Sequence, residues 1–144
     1  MIKKILLTGF LCAISSMAQA DDLRKFQQHQ SSGRFYSNKG NLTGSSNNGQ
    51  IYNPNGTGNG YMRDTGSTSR FYESGGKYSG SSVKNSSGAT YYDKNNKYQG
   101  KSVTSGNTTR YYDKSGKNMG YSKDTGNAVR FYDQNGKSTG TKRK

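Results

Sequence analysis

Seven cations recur in fixed phase along this chain and define the chemistry open to it. Arg70, Arg110 and Arg130 each precede an aromatic pair, and Lys77, Lys97, Lys117 and Lys137 each follow a turn. Guanidinium and ammonium groups repeated along an array create an extended positive potential that attracts polyanions. Lysine at hairpin edges also blocks edge-to-edge strand association, and arginine beside tyrosine suits cation–π packing on a solvated sheet. The sequence leaves these readings side by side. Bond-making chemistry has much less to work with. A nucleophile needs a neighbouring base, and the sole histidine, His29, lies in a polar leader. Asp93, Asp113 and Asp133 are periodic, but each opens a turn, where Asp serves the backbone. Scattered carboxylates beside lysines supply no clustered metal ligands. Gly136-Lys137-Ser138 ends like a phosphate loop, yet the glycine required five residues earlier is Phe131, and for Gly100-Lys101-Ser102 it is Asn95. The expectation is a non-enzyme with no catalytic residue, cofactor or metal.

What must position the cations is a repeat. Phe71, Tyr91, Tyr111 and Phe131 fall 20 residues apart, each followed by tyrosine, and Gly60, Gly80, Gly100, Gly120 and Gly140 keep the same step. A fixed period of this length marks one supersecondary unit per copy. In Val129-Arg130-Phe131-Tyr132 the β-branched and aromatic residues favour a strand. Asp133-Gln134-Asn135-Gly136 then carries a type I turn signature, and Lys137-Ser138-Thr139 returns antiparallel. Asn96 stands where Gly usually does and can take the left-handed conformation. Each copy is therefore expected to be a β-hairpin, with strands of about four to six residues between turns. Strand parity puts Phe71, Tyr91, Tyr111 and Phe131 on one face, a structural aromatic column shared between repeats. Arg70, Arg110, Arg130 and the tyrosines at 72, 92, 112 and 132 fall on the other.

The predicted fold class is all-β: tandem hairpins of about 20 residues in a single-layer meander or β-solenoid with little conventional core. Hydrophobic residues make up only 27% of the chain, which limits a two-layer core. The organisation expected is a signal peptide at 1–20, a polar leader at 21–32 and the array at 33–144. Weaker copies open at Gly33-Arg34-Phe35-Tyr36 and Gln50-Ile51-Tyr52. The second repeat, near 45–60, carries the only proline, Pro54, among turn residues and reads as a degenerate cap or hinge. Thr141-Lys142-Arg143-Lys144 reads as a basic, solvated tail.

Lys3 and Lys4, a short apolar run to Met17, and Ala18-Gln19-Ala20 form a Sec-type export signal. That run is shorter than the roughly 20 residues of a spanning helix, so no transmembrane segment is expected in the mature chain. Cys12, the only cysteine, lies within the signal. Beyond the signal, 20 Lys plus Arg face 8 Asp plus Glu, a balance of +12.

Tyr-Asp-x-x-Gly-Lys at Tyr112 to Lys117 and Tyr132 to Lys137 resembles the Tyr-Asp (Rhs-like) repeats of bacterial rearrangement-hotspot shell proteins and related toxins, whose units are β-hairpins. The copies here continue Lys-Asn or Lys-Ser where those repeats have Arg-Leu, and they number too few for an enclosing shell. The aromatic pair, the Asp-x-x-Gly turn and the Gly120-Tyr121 start are also similar to choline-binding cell-wall repeats. Those sites use tryptophan, absent here, and no choline site is carried over.

The function expected is a periplasmic or secreted binding protein presenting Arg, Lys and Tyr columns to an anionic polysaccharide, lipopolysaccharide or extracellular nucleic acid. The alternative is a structural or protein-interaction module of the envelope, with a protein partner and no specific polyanion. The signal motif predicts an exported chain beginning at Asp21. N-terminal sequencing of material recovered outside the cytoplasm checks this; an intact Met1, or lipid on Cys12, overturns it.

Overall fold

The Asp-x-x-Gly segments fold as the sequence dictates, and they set the hairpin register. Asp133 N donates to Lys137 O at 2.9 Å and Gly136 N to Asp133 O at 3.1 Å, a type I turn closed by one left-handed residue. Gly136 supplies that residue with φ 81°, and Asn96 takes the same role with φ 58°. At the opposite end of the strands the loops are tighter. Asn48-Gly49, both at positive φ, join their strands in the two-residue turn whose twist suits a hairpin.

The computed structural model describes residues 32–144, and the signal and nearly all of the leader, His29 included, lie outside them. Twelve strands follow in order: β1 (Gly33–Ser37), β2 (Leu42–Asn47), β3 (Gln50–Tyr52), β4 (Gly58–Asp64), β5 (Thr68–Glu73), β6 (Tyr78–Asn85), β7 (Gly88–Asp93), β8 (Tyr98–Ser105), β9 (Thr108–Asp113), β10 (Asn118–Asp124), β11 (Ala128–Tyr132) and β12 (Ser138–Arg143). Each pairs antiparallel with its sequence neighbour, and β1 pairs with β12 to close the sheet into a barrel. The all-β class holds, but the open meander and the solenoid do not. With β12 laid beside β1, Arg34 faces Arg143 and Phe35 faces Lys142. Closure removes both free edges and wraps the sheet around an interior.

Two further expectations change with it. The segment near 45–60 is no hinge, since β3 and β4 pair around the turn at 53–57. The basic tail is no solvated end: residues 141–143 complete the closing strand, and Lys142 is fully buried.

The aromatic column lies inside. Phe71, Tyr91 and Tyr111 are 0% exposed and Phe131 5%, and Phe35 and Ile51 extend the set. Across the ladder each inward ring meets a glycine: Phe71 faces Gly80, Tyr91 faces Gly100, Tyr111 faces Gly120 and Phe131 faces Gly140. Large against small is how a barrel interior is filled without overpacking. At Gly120 the fit is compulsory, because φ is 125° and an added Cβ would collide with the Tyr132 carbonyl. The ring over each glycine also reaches the residue two further on. Tyr91 Oη and Ser102 Oγ lie 3.0 Å apart, as do Tyr111 Oη and Ser122 Oγ. Phe71 has no hydroxyl, and beneath it the buried Ser82 Oγ has no hydrogen-bond partner among the described residues.

Two measurements check this interior. Tyr111→Ala should cost ~3–5 kcal/mol, the range for a large aromatic truncation in a core, whereas Tyr112→Ala, on the outer wall, should cost no more than ~1 kcal/mol; equal thermal shifts would contradict the two-faced wall. Phe71→Tyr should raise the melting temperature, because the new hydroxyl partners Ser82 Oγ and a hydrogen bond contributes ~1 kcal/mol.

Candidate polyanion-binding surface

Alternation along the strands turns the second set of residues outward. Arg70, Arg110 and Arg130 are exposed, and the tyrosines at 72, 92, 112 and 132 are half-buried on the same outer wall. Up-and-down topology sends every loop after an odd-numbered strand to one end of the barrel. Lys77, Lys97, Lys117 and Lys137 all lie in such loops, joined there by Lys39, Lys94 and Lys114. The lysines therefore form a crown around one rim, and the arginines lie on the wall below it. The single straight strip expected from stacked repeats is bent into a ring by closure.

What lies opposite each outer tyrosine decides its environment. Tyr61 faces Tyr72 and Tyr121 faces Tyr132; both pairs stack with centroids 4.8 Å apart, at interplanar angles of 14° and 15°. Lys101 faces Tyr112 and places its ammonium 5.9 Å from the ring centroid. Arg63 lies over both Tyr61 and Tyr72, at 5.5 and 5.6 Å. Lys123 lies 5.8 Å from Tyr121, and Arg143 4.9 Å from Tyr36. The cations over these rings are thus other than Arg70, Arg110 and Arg130. Arg63, Lys123 and Arg143 share one position of the 20-residue repeat, but Val83 and Val103 fill it in the copies between, so the motif does not reveal them as a cationic column. Gly60-Tyr61-Met62-Arg63-Asp64 and Gly120-Tyr121-Ser122-Lys123-Asp124, three repeats apart, share the cation that the copies between them lack.

Cations meet cations on this wall. Arg63 is directly opposite Arg70, Lys123 opposite Arg130 and Arg34 opposite Arg143. Like charges so placed destabilise a sheet. Five aspartates are engaged elsewhere. Asp93, Asp113 and Asp133 each accept from the backbone N–H groups two and four residues on. The Ser115 hydroxyl bonded to Asp113 holds that carboxyl below the usual range. Asp64 and Asp124 accept from Gly66 and Gly126 and pair with Lys84 at 3.2 Å and Lys144 at 2.6 Å. That second pair pulls the Asp124 pKa down. Arg70, Arg110 and Arg130 have no ion-pair partner among the described residues.

At the closure, Gly33, Arg34, Tyr36, Ser45, Ser46, Asn47, Tyr52, Arg143 and Lys144 line an open groove of about 570 Å³. The described residues hold no group of three or more metal-ligating side chains. No helix among them is long and apolar enough to cross a membrane. The wall itself is charged at mid-strand, and the interior combines aromatic rings with serine hydroxyls and Lys142. Fold and surface together define a filled up-and-down β-barrel whose outer wall carries arginines with no ion-pair partner among the described residues. Comparison with protein-family models, with curated proteins and with solved structures gives no match.

One cation faces inward. Lys142 occupies the interior position that Ser82, Ser102 and Ser122 fill in other strands, with Nζ 5.6 Å from the Phe35 ring centroid. Burial lowers its pKa from 10.5 to about 8. Between those values the unfolded chain binds a proton that the folded chain lacks, so stability rises with pH. Tyr91 works the other way. Its burial raises the phenol pKa well above the usual 10.0, so stability falls once unfolded tyrosines ionise. Thermal melts should therefore show a maximum between these two limbs. Lys142→Met should raise stability at pH 7 and abolish the rise from about 8 to 10.5; an unchanged rise in the variant would exonerate Lys142.

Proposed function

We propose that this protein is a non-catalytic binder of acidic polysaccharide, acting through its outer wall and lysine crown outside the cytoplasm. One observation carries the reading: Asp64, Asp93, Asp113, Asp124 and Asp133 are engaged in turns and ion pairs at the strand ends, while wall cations face one another across the ladder with no ion-pair partner among the described residues. An array of sulfate, phosphate or carboxylate groups would relieve that repulsion, and relief appears as affinity that falls with salt. Among polyanions, glycan suits the wall better than single-stranded nucleic acid. Base recognition uses free aromatic faces, whereas the tyrosines of both stacked pairs cover each other and receive cations from the same chain.

Heparin serves as the probe. Affinity should decrease linearly with salt on logarithmic axes, since each released counterion contributes a slope on the order of −0.9 on duplex DNA. The double variant Arg110→Ser/Arg130→Ser should flatten the slope by roughly one to two units on the same scale. Lys84→Ser should change it less, because that ammonium is already paired with Asp64. Parent-like affinity and slope in the double variant would refute glycan binding by the wall.

A further inference from the structure

The two hairpins in which a stacked tyrosine pair lies beside directly opposed cations are copies of each other at a separation of 60 residues. Tyr61, Arg63, Arg70 and Tyr72 on β4 and β5 correspond to Tyr121, Lys123, Arg130 and Tyr132 on β10 and β11. The intervening hairpins lack the combination: Val83 faces Thr90 and Val103 faces Arg110. The ion pairs beside the two patches repeat at the same interval, Asp64 with Lys84 and Asp124 with Lys144. Asp64 and Asp124 thus turn toward the next hairpin, and the opposed cations have no ion-pair partner among the described residues.

In the ring of twelve strands, β4 and β10 are six steps apart in either direction, as are β5 and β11. The patches occupy opposite halves of the wall and face away from each other. We infer that the protein is divalent: each patch holds one acidic glycan segment by clamping an anionic group between its two cations, and one molecule joins two glycan chains. This rests on the glycan-binding reading and adds its stoichiometry and consequence. A short segment cannot reach round the barrel to both patches, so the sites fill independently. A long chain presents many segments, and divalent bridging converts modest single-site affinity into a cross-linked network.

Size-defined heparin oligosaccharides, too short to span the barrel, provide the test by titration calorimetry at about 0.15 M salt, where exposed charges beyond ~8 Å are screened. The parent should bind two per molecule. Arg63→Ser/Arg70→Ser and Lys123→Ser/Arg130→Ser should each bind one, with the remaining site within about twofold of its parent affinity, as distant sites behave. The fourfold variant should bind none. With full-length heparin the parent should produce turbidity and each single-patch variant a clear solution. Near-ultraviolet circular dichroism of the retained tyrosines verifies that the variants fold. One oligosaccharide per parent molecule, or parent-like turbidity from a single-patch variant, overturns divalency while leaving glycan binding intact. No oligosaccharide binding by the parent rejects the glycan-binding reading itself.

Discussion

Strands β5 to β12 of this barrel depend on a match between a ring and a missing side chain. Phe71, Tyr91, Tyr111 and Phe131 each lie across the ladder from a glycine, and the space without a Cβ is what lets so many large groups share one narrow interior. Where the ring is tyrosine, its hydroxyl finds Ser102 or Ser122, so polar atoms enter the core without being orphaned. The match also sets the register. The pairing shifts by one residue between Phe71 and Tyr72, and again at Tyr92, Tyr112 and Tyr132. This local irregularity lets an inward ring meet its glycine while the next tyrosine turns outward. Interior packing and exterior presentation follow from one dipeptide, aromatic then tyrosine.

Much of this was legible in the chain. Turn chemistry located the hairpins, including the left-handed Asn96, and parity separated Phe71 and Tyr111 from Tyr72 and Tyr112. Closure was not legible, for a physical reason. The contact that makes it, β1 with β12, joins Arg34 to Arg143, residues from opposite ends of the array, and nothing local specifies it. The tail that makes the closing strand carries Lys-Arg-Lys, which reads as solvated until an interior exists for Lys142 to enter. The opposed cation pairs were hidden similarly. Arg63 and Lys123 become conspicuous only when strand pairing sets them against Arg70 and Arg130, because Val83 and Val103 interrupt their column in the copies between.

Charge is segregated by position in the fold. Turns demand acceptors, so Asp93, Asp113 and Asp133 are drawn into the loops of one end, where they bind backbone N–H groups. Strand centres make no such demand and retain their cations. A basic wall therefore arises partly because the turns sequester the acids, and the protein needs no dedicated basic domain to present positive charge.

Closure also constrains inheritance. An open stack of hairpins accommodates the gain or loss of a copy, since each unit touches only its neighbours. Here the first and last strands must meet, and the interior is already filled by rings sized to the present circumference. A tandem duplication, the commonest accident of a repetitive coding sequence, would widen the ring and leave a void that the existing side chains cannot fill. A deletion would crowd them. The joint between Phe35 and Lys142 thus acts as a counting device that holds the number of copies fixed while the outward-facing residues of each copy remain free to drift.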